Sequence, residues 1–120
     1  MKLKLMLLSL SVGLLTAACL PPAAQAQSEP QRVEITARRF AFTPGEITVK
    51  KGQPVVLVLH SEDVEHGLRI REFGVNVQVQ PGKTVEVKFT PQKTGEFVGH
   101  CIVFCGSGHG GMMIKVHVVA

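Results

Sequence analysis

Four side chains with soft donor atoms lie close together near the end of the chain. Cys101 and Cys105 are four residues apart, and His109 and Met112 follow at intervals of four and three residues. Two thiols, an imidazole and a thioether thus fall within twelve residues, and donors of these types bind soft metal ions. The stretch HCIVFCGSGHGGMM, residues 100–113, therefore predicts a metal site.

The donor types narrow the choice of metal. Calcium and magnesium prefer oxygen ligands, so this set of sulfur and nitrogen donors excludes them. Zinc and copper both accept thiolate and imidazole, but zinc seldom takes a thioether, which favours copper. A single copper bound by a cysteine and two histidines, with a weak methionine, would be a mononuclear blue-copper centre, and it requires one more histidine from elsewhere in the chain.

Short strands precede this segment and must position it. Apolar and polar residues alternate with a period of two in residues 32–36, 46–50 and 84–89, whereas the run PVVLVLH, residues 54–60, is apolar throughout, as in a buried central strand. Turn residues such as Thr43-Pro44-Gly45 separate the runs. We expect an all-β fold, a two-sheet antiparallel Greek-key sandwich that presents the donors in the loop between its last two strands.

His66 is our candidate for the additional ligand. It follows the buried strand in the segment SEDVEHGLRI, where a loop at one end of the sandwich brings it beside the donor loop. His60 ends an apolar strand and is interpreted as a half-buried residue. His100 and His117 are expected on the faces of their strands that point away from the core. Met113 is expected to pack within the last strand.

The donor pattern resembles that of a known family. It closely resembles the CuA domain of cytochrome c oxidase subunit II, with a motif shared by nitrous oxide reductase, and the likeness extends over about residues 32–119. The resemblance implies a cupredoxin-like fold with two copper ions bridged by both cysteine sulfurs, each copper taking one histidine. The ligand set it implies is His66, Cys101, the backbone carbonyl of Val103, Cys105, His109 and Met112.

The sequence departs from this family in three respects. The family usually has glutamate where this chain has Val103, although a main-chain oxygen does not depend on the side chain. The chain also has no Trp and no Tyr, so the aromatic residue through which electrons enter in the family is missing, as is the transmembrane hairpin of subunit II.

The first 26 residues predict a signal peptide. MKLK is basic, a short apolar run follows, and Ala24-Gln25-Ala26 reads as a cleavage site. Residues 27–31 would be a flexible lead-in and residues 32–120 the cupredoxin domain, exported to the periplasm or otherwise out of the cytoplasm. An alternative cleavage before Cys19 would leave a lipoprotein anchored through that cysteine. After either cleavage we expect no transmembrane span.

Export leaves alternatives for the two remaining cysteines. In an oxidising compartment Cys101 and Cys105 could form a structural disulfide, although one that closes so small a loop stabilises little.

Loss of Lys2 and Lys4 lowers the formal charge of +4 by two, and no basic run is interleaved with aromatic residues, so we expect no nucleic-acid partner.

The predicted function is single-electron transfer between redox proteins by a binuclear CuA-type centre, without catalysis by the protein itself. A c-type cytochrome or a terminal oxidase would be the partner. The alternatives are a periplasmic copper carrier that delivers copper to an oxidase or another acceptor, and a blue-copper protein with one copper. Glu62, Asp63 and Glu65 are interpreted as a solvated loop or a patch that faces a partner.

Overall fold

The computed structural model describes Gly13, Ala18, Cys19 and residues 29–120. The predicted cleavage site Ala24-Gln25-Ala26 and residues 27–28 of the predicted lead-in lie outside the described residues, and Gln31, expected at the end of the lead-in, begins the first strand. Within the described residues, no helix is long and apolar enough to cross a membrane.

The described chain is built almost entirely of strands, joined by short turns and two single-turn 3-10 helices. The helices are Arg71–Phe73 and His109–Gly111. The strands are β1 Gln31–Arg38, β2 Ala41–Thr43, β3 Glu46–Lys50, β4 Val55–Ser61, β5 His66–Ile70, β6 Val75–Val79, β7 Thr84–Phe89, β8 Gly95–His100 and β9 Met113–Val119.

The strands form two sheets that pack face to face. One sheet has the order β2-β1-β4-β7 and the other the order β3-β9-β8-β5-β6. Most neighbouring strands are antiparallel, but β1 pairs with β4 and β3 pairs with β9 in parallel. The predicted sandwich of two sheets is confirmed, but it is not wholly antiparallel as predicted, since two of its strand pairs are parallel.

The burial of side chains follows the sequence pattern. In β9 the buried residues Ile114, Val116 and Val118 alternate with more exposed ones, whereas residues 55–59 of β4 are all buried. Side chains of one sheet, such as Leu57, meet those of the other, such as Leu68, in a single core. Full burial of an aliphatic side chain of this size contributes about 1.5–3 kcal/mol to the stability of the fold. The sandwich is therefore a firm support for the loops at its ends.

One glycine shows how closely the sheet beside the donor loop is packed. A Cβ atom on Gly99, in β8, would lie 2.9 Å from side-chain carbons of Ile70 and Ile114 and 3.0 Å from Leu68. A larger residue there would push β8 away from these three side chains. Gly99 therefore lets β8, the strand that leads directly into Cys101, pack closely against these side chains.

Three connections meet at the same end of the sandwich. They are the β1–β2 turn at residues 39–40, the β4–β5 loop at residues 62–65 and the β8–β9 loop at residues 101–112. The parallel pairing of β1 with β4 brings Ala37 opposite Ser61, so the first two connections begin side by side. The third joins them through side-chain contacts.

Candidate metal centre

The loop that carries the donors is closed at its base. The backbone N–H of Cys101 donates to the carbonyl of Met112 at 3.1 Å, and the strands on either side pair His100 with Met113. Within the loop, the N–H of His109 bonds to the carbonyl of Gly106 at 3.2 Å and that of Met112 to the carbonyl of His109 at 3.1 Å. This network brings the first and last donors of the loop together before any metal is added.

The predicted donors converge on one place. The donor atoms of His66, Cys101 and Cys105 all lie within 4.8 Å of one another. The sulfur of Cys101 is 3.9 Å from Nδ1 of His66, and the sulfur of Cys105 is 3.7 Å from Nδ1 of His109. Each sulfur therefore has its own imidazole neighbour.

The two weaker donors also lie beside the sulfurs. The thioether sulfur of Met112 is 3.9 Å from Sγ of Cys105, and the carbonyl oxygen of Val103 is 3.4 Å from Sγ of Cys101. Met113 begins β9, the strand in which it was expected, and is 41% exposed, so it lies outside this group. Of the two neighbouring methionines, the geometry favours Met112 as the donor.

Most of the site is shielded from water. His66 is fully buried, and Met112, Cys101 and Cys105 are each at most 5% exposed, whereas His109 is only partly buried. Burial raises the pKa of the Cys105 thiol, and the neighbouring Cys101 raises it further, while the Arg39 guanidinium opposes the rise. Metal binding at Cys105 must therefore release a proton that this raised pKa helps the thiol to retain.

Asp63 orients the buried histidine. Its Oδ1 lies 2.7 Å from Nε2 of His66, so an N–H on that nitrogen leaves Nδ1 unprotonated on the side of the Cys101 sulfur. Burial alone would raise the pKa of Asp63. Hydrogen bonds from the N–H of Arg39, from His66 and from the N–H of Val64 outweigh burial and lower this pKa to about 2.

The β1–β2 turn holds the donor loop from the other side. The guanidinium Nε of Arg39 donates to the carbonyl of Cys105 at 2.7 Å, and its backbone N–H donates to Oδ2 of Asp63 at 2.8 Å. The ring of Phe40 covers the loop backbone, since a Cβ atom on Gly106 or Gly108 would lie within 2.8 Å of it. Arg39 thus connects the β4–β5 and β8–β9 loops, and Phe40 packs on the second of them.

The sequence did not reveal these supporting residues. Asp63 was interpreted as part of a solvated acidic patch, but its carboxylate binds His66; its position three residues before the candidate histidine was the available signal. Nothing local marked Arg39 or Phe40. The remaining histidines lie as expected, with His60 partly buried against Thr84, His100 exposed and His117 partly exposed on the outer face of β9.

The donor set fits copper. The atoms that converge are two thiol sulfurs, two imidazole nitrogens and a thioether, with one backbone carbonyl, and no carboxylate oxygen of the described residues belongs to the group. One metal ion can bind two donors only if they lie no farther apart than two metal–ligand bonds, each about 2.0–2.3 Å long. The neighbouring donors here are 3.4 to 3.9 Å apart, which meets this condition. Cys101 and Cys105 are free thiols in this structure, as copper binding requires.

Comparison with known proteins gives the same assignment. A family model for the cupredoxin-like domain matches residues 8–114. The cytochrome c oxidase subunit 2 of Thermus thermophilus is 34% identical over 94 residues, which cover 77% of this chain and 70% of that protein. The nitrous-oxide reductase of Cupriavidus necator is 37% identical over 92 residues, or 73% of this chain but only 14% of the reductase.

A solved structure supports the fold. The periplasmic domain of subunit II of the Bradyrhizobium japonicum cytochrome oxidase superposes with a TM-score of 0.69 and 23% identity, over 74% of this chain and 83% of that one. The predicted resemblance to the copper-binding domain of subunit II is thus confirmed, and the chain belongs to the cupredoxin-like family.

Proposed function

We propose that the protein is an exported electron carrier with a binuclear CuA-type copper centre, which passes single electrons between redox proteins. The observation that carries this proposal is the pairing of each cysteine sulfur with a different imidazole, 3.9 Å apart for Cys101 and His66 and 3.7 Å apart for Cys105 and His109. Two metals that share both sulfurs need one imidazole for each metal, and these two imidazoles approach different sulfurs. Membership of the cupredoxin-like family and the likeness to subunit 2 support the choice of copper.

The ligand roles follow from the positions of the donors. The two thiolates would bridge the metals, the two imidazoles would be terminal ligands, and the thioether and one backbone carbonyl would be weak ligands. In the order of these roles, the residues are Cys101 and Cys105, His66 and His109, Met112, and Val103.

The protein's own contribution is to keep the donors in place. When bound, the copper pair supplies a site that takes up and releases one electron. Asp63 fixes the ring of His66, Arg39 holds the carbonyl of Cys105, and the core beneath excludes water. Ligands that are already in position move little when the charge changes, which is what rapid electron transfer needs.

We further propose that the protein acts as a carrier and not as a catalyst, and that its partner is a c-type cytochrome or a terminal oxidase in the periplasm. Export depends on the predicted signal peptide or on a lipid anchor at Cys19. Burial of His66, Cys101, Cys105 and Met112 supports the carrier role, because electrons cross a short protein layer whereas a substrate must reach the metal.

Electron paramagnetic resonance of the copper-loaded protein tests the proposal when copper is counted in the same sample. We expect two coppers per chain and a seven-line hyperfine pattern, the sign of one unpaired electron shared by two metals. One copper with a four-line pattern would contradict the binuclear centre and return the blue-copper alternative.

Copper delivery is the second candidate function. The observation that favours it is the partial exposure of His109, which gives an acceptor access to one edge of the site. Transfer of Cu(I) from the loaded protein to a metal-free acceptor, without electron exchange with a cytochrome, would support delivery. Rapid electron exchange with copper retained would support the electron carrier instead.

A further inference from the structure

Arg39 places a positive charge against the donor loop. Its guanidinium Nε donates to the carbonyl of Cys105 at 2.7 Å, in a hydrogen bond that is partly buried. Cys105 is only 4% exposed, so water screens a charge at this point less than it screens one on the open surface. A cation is thus fixed beside one of the two residues that we assign as bridges between the metals.

The charge of Arg39 acts on the sulfur of Cys105 as well as on its carbonyl. Burial and the neighbouring Cys101 raise the pKa of the Cys105 thiol, whereas Arg39 opposes the rise and Asp63 adds to it. Of these two opposite charges, Arg39 has the larger effect. The combined effect of the pair at the sulfur is therefore that of a positive charge.

Two carboxylates near Arg39 reduce the effect of its charge. Oδ2 of Asp63 accepts the backbone N–H of Arg39 at 2.8 Å, while Oδ1 lies 2.7 Å from Nε2 of His66. Glu65 lines the same cleft of about 290 Å³ as Arg39 and Cys105. The other residues of this lining carry no charge and are Val64, Val103, Phe104 and Gly106. Within residues 29–120, Arg39 is the charged side chain that hydrogen-bonds to the donor loop, so its position relative to the loop is fixed.

We propose that Arg39 raises the reduction potential of the copper centre and thereby favours the uptake of an electron from a partner. This role rests on the proposed electron-transfer function and deepens it by naming a residue that regulates the site. In the transfer a reduced partner loses one electron and the centre gains it, so the positive charge of the centre falls by one, and no bond is made or broken. A fixed cation beside Cys105 destabilises the oxidised form more than the reduced form, which shifts the equilibrium towards reduction.

Spectroelectrochemical titration of the copper-loaded protein measures this effect. Arg39→Gln removes the charge but keeps an N–H donor, and we expect a roughly tenfold change in the equilibrium constant, which lowers the potential by about 59 mV for one electron. Arg39→Lys keeps the charge without the planar guanidinium and should have a potential close to that of the parent. Equal potentials of the parent and Arg39→Gln would overturn the role of Arg39. A potential in Arg39→Lys as low as that of Arg39→Gln would show that the guanidinium contact matters and not the charge, which would also overturn it.

A variant of opposite sign separates charge from distortion. Asp63→Asn removes a negative charge on the same side of the site and is expected to raise the potential. Arg38→Gln is the matched control, since Arg38 is an exposed neighbour of the same charge in β1, and it should change the potential much less than Arg39→Gln. Shifts in the same direction for Asp63→Asn and Arg39→Gln, or equal shifts for the two arginine variants, would overturn the role of Arg39.

Val103→Glu tests the same charge effect without changing Arg39. It adds a carboxylate to the lining of the cleft while the backbone carbonyl remains, so we expect the potential to fall, as in Arg39→Gln. Val103→Gln has nearly the same size without the charge and should stay close to the parent. Equal potentials of these two variants would overturn the role of Arg39, even if Arg39→Gln did not hold copper.

The parent protein distinguishes this role from the proposed function. A copper-loaded parent without a reversible one-electron couple would contradict electron transfer and the role of Arg39 together. A reversible couple whose potential does not depend on the charge at Arg39 would overturn the role of Arg39 and leave electron transfer intact. One copper per chain in place of two would contradict the binuclear centre and still support the role of Arg39 if the potentials shift as expected, because the charge lies beside Cys105 in either case.

Discussion

The two imidazoles of the site are held in different ways. His66 begins a strand, is fully buried, and has its outer nitrogen bound to Asp63 at 2.7 Å. His109 lies in a 3-10 turn of the donor loop, is partly exposed, and is covered on one side by the ring of Phe104. The fold therefore positions one ligand firmly and leaves the other close to solvent, so that the same site has a fixed side and an accessible side.

The cysteine sulfurs lie between His66 and His109. Removal of a sulfur should therefore have the largest effect on copper binding. Cys101→Ser takes away one of the two shared donors, so we expect the native colour and the seven-line resonance spectrum to disappear and the copper content to fall below two per chain. Absorption and resonance spectra with a copper count provide the measurement. A variant that keeps the native spectrum would mean that a single copper is bound through Cys105 alone.

Truncation of the two histidines compares the fixed and the accessible sides directly. His66→Ala leaves a buried void and takes one hydrogen-bond partner from Asp63, and we expect it to lower the free energy of unfolding of the metal-free protein by about 2–4 kcal/mol. His109→Ala should lower it by less than about 1 kcal/mol, because the ring is partly exposed. Urea unfolding of both variants measures the difference, and equal losses would show that the two sides are equally rigid.

Replacement of Asp63 should weaken copper binding through its effect on His66 alone. Asp63→Asn keeps the size of the side chain but removes the carboxylate that orients His66, and loss of such a partner lowers metal affinity by about 10- to 100-fold. Competition for copper against a chelator gives the affinity. Glu62→Gln is the matched control, since Glu62 is an exposed neighbour of the same charge. An affinity equal to that of the control would remove Asp63 from the support of the site.

Loss of the Arg39 contact should destabilise the protein less than His66→Ala does. Arg39→Met removes the hydrogen bond to the Cys105 carbonyl and should lower the free energy of unfolding by about 1–2 kcal/mol, while Arg39→Lys should lose less. Amide hydrogen exchange in residues 101–112 of the metal-free protein shows whether the loop is loosened. Unchanged exchange in Arg39→Met would mean that the closure by Cys101 and Met112 is sufficient.

The features that could be predicted from the sequence are those that depend on residues close together in the chain. The alternation in residues 46–50 and 84–89 predicted strands because one face of each is buried, and the donors were recognisable because their types and spacing limit the chemistry. Spacing also singled out His66, although only together with a family resemblance. The ligand roles themselves stay predictions until metal is bound.

The supporting residues were missed because their partners are distant in sequence. Arg39 bonds to the carbonyl of Cys105, 66 residues away, and to Asp63, 24 residues away. The parallel pairing of β1 with β4 and of β3 with β9 was missed for a similar reason, since an apolar pattern fixes which face of a strand is buried and not which strand lies beside it.

The contact of Phe40 with Gly106 and Gly108 also concerns how this protein can change over evolutionary time. No side chain fits at either glycine while the ring remains. The three positions are therefore coupled in selection, since neither glycine can change before Phe40 does. A lineage that replaced Phe40 with a small residue would be the first in which Gly108 could accept a side chain, whereas Gly106 would still be restricted by its φ of +142°.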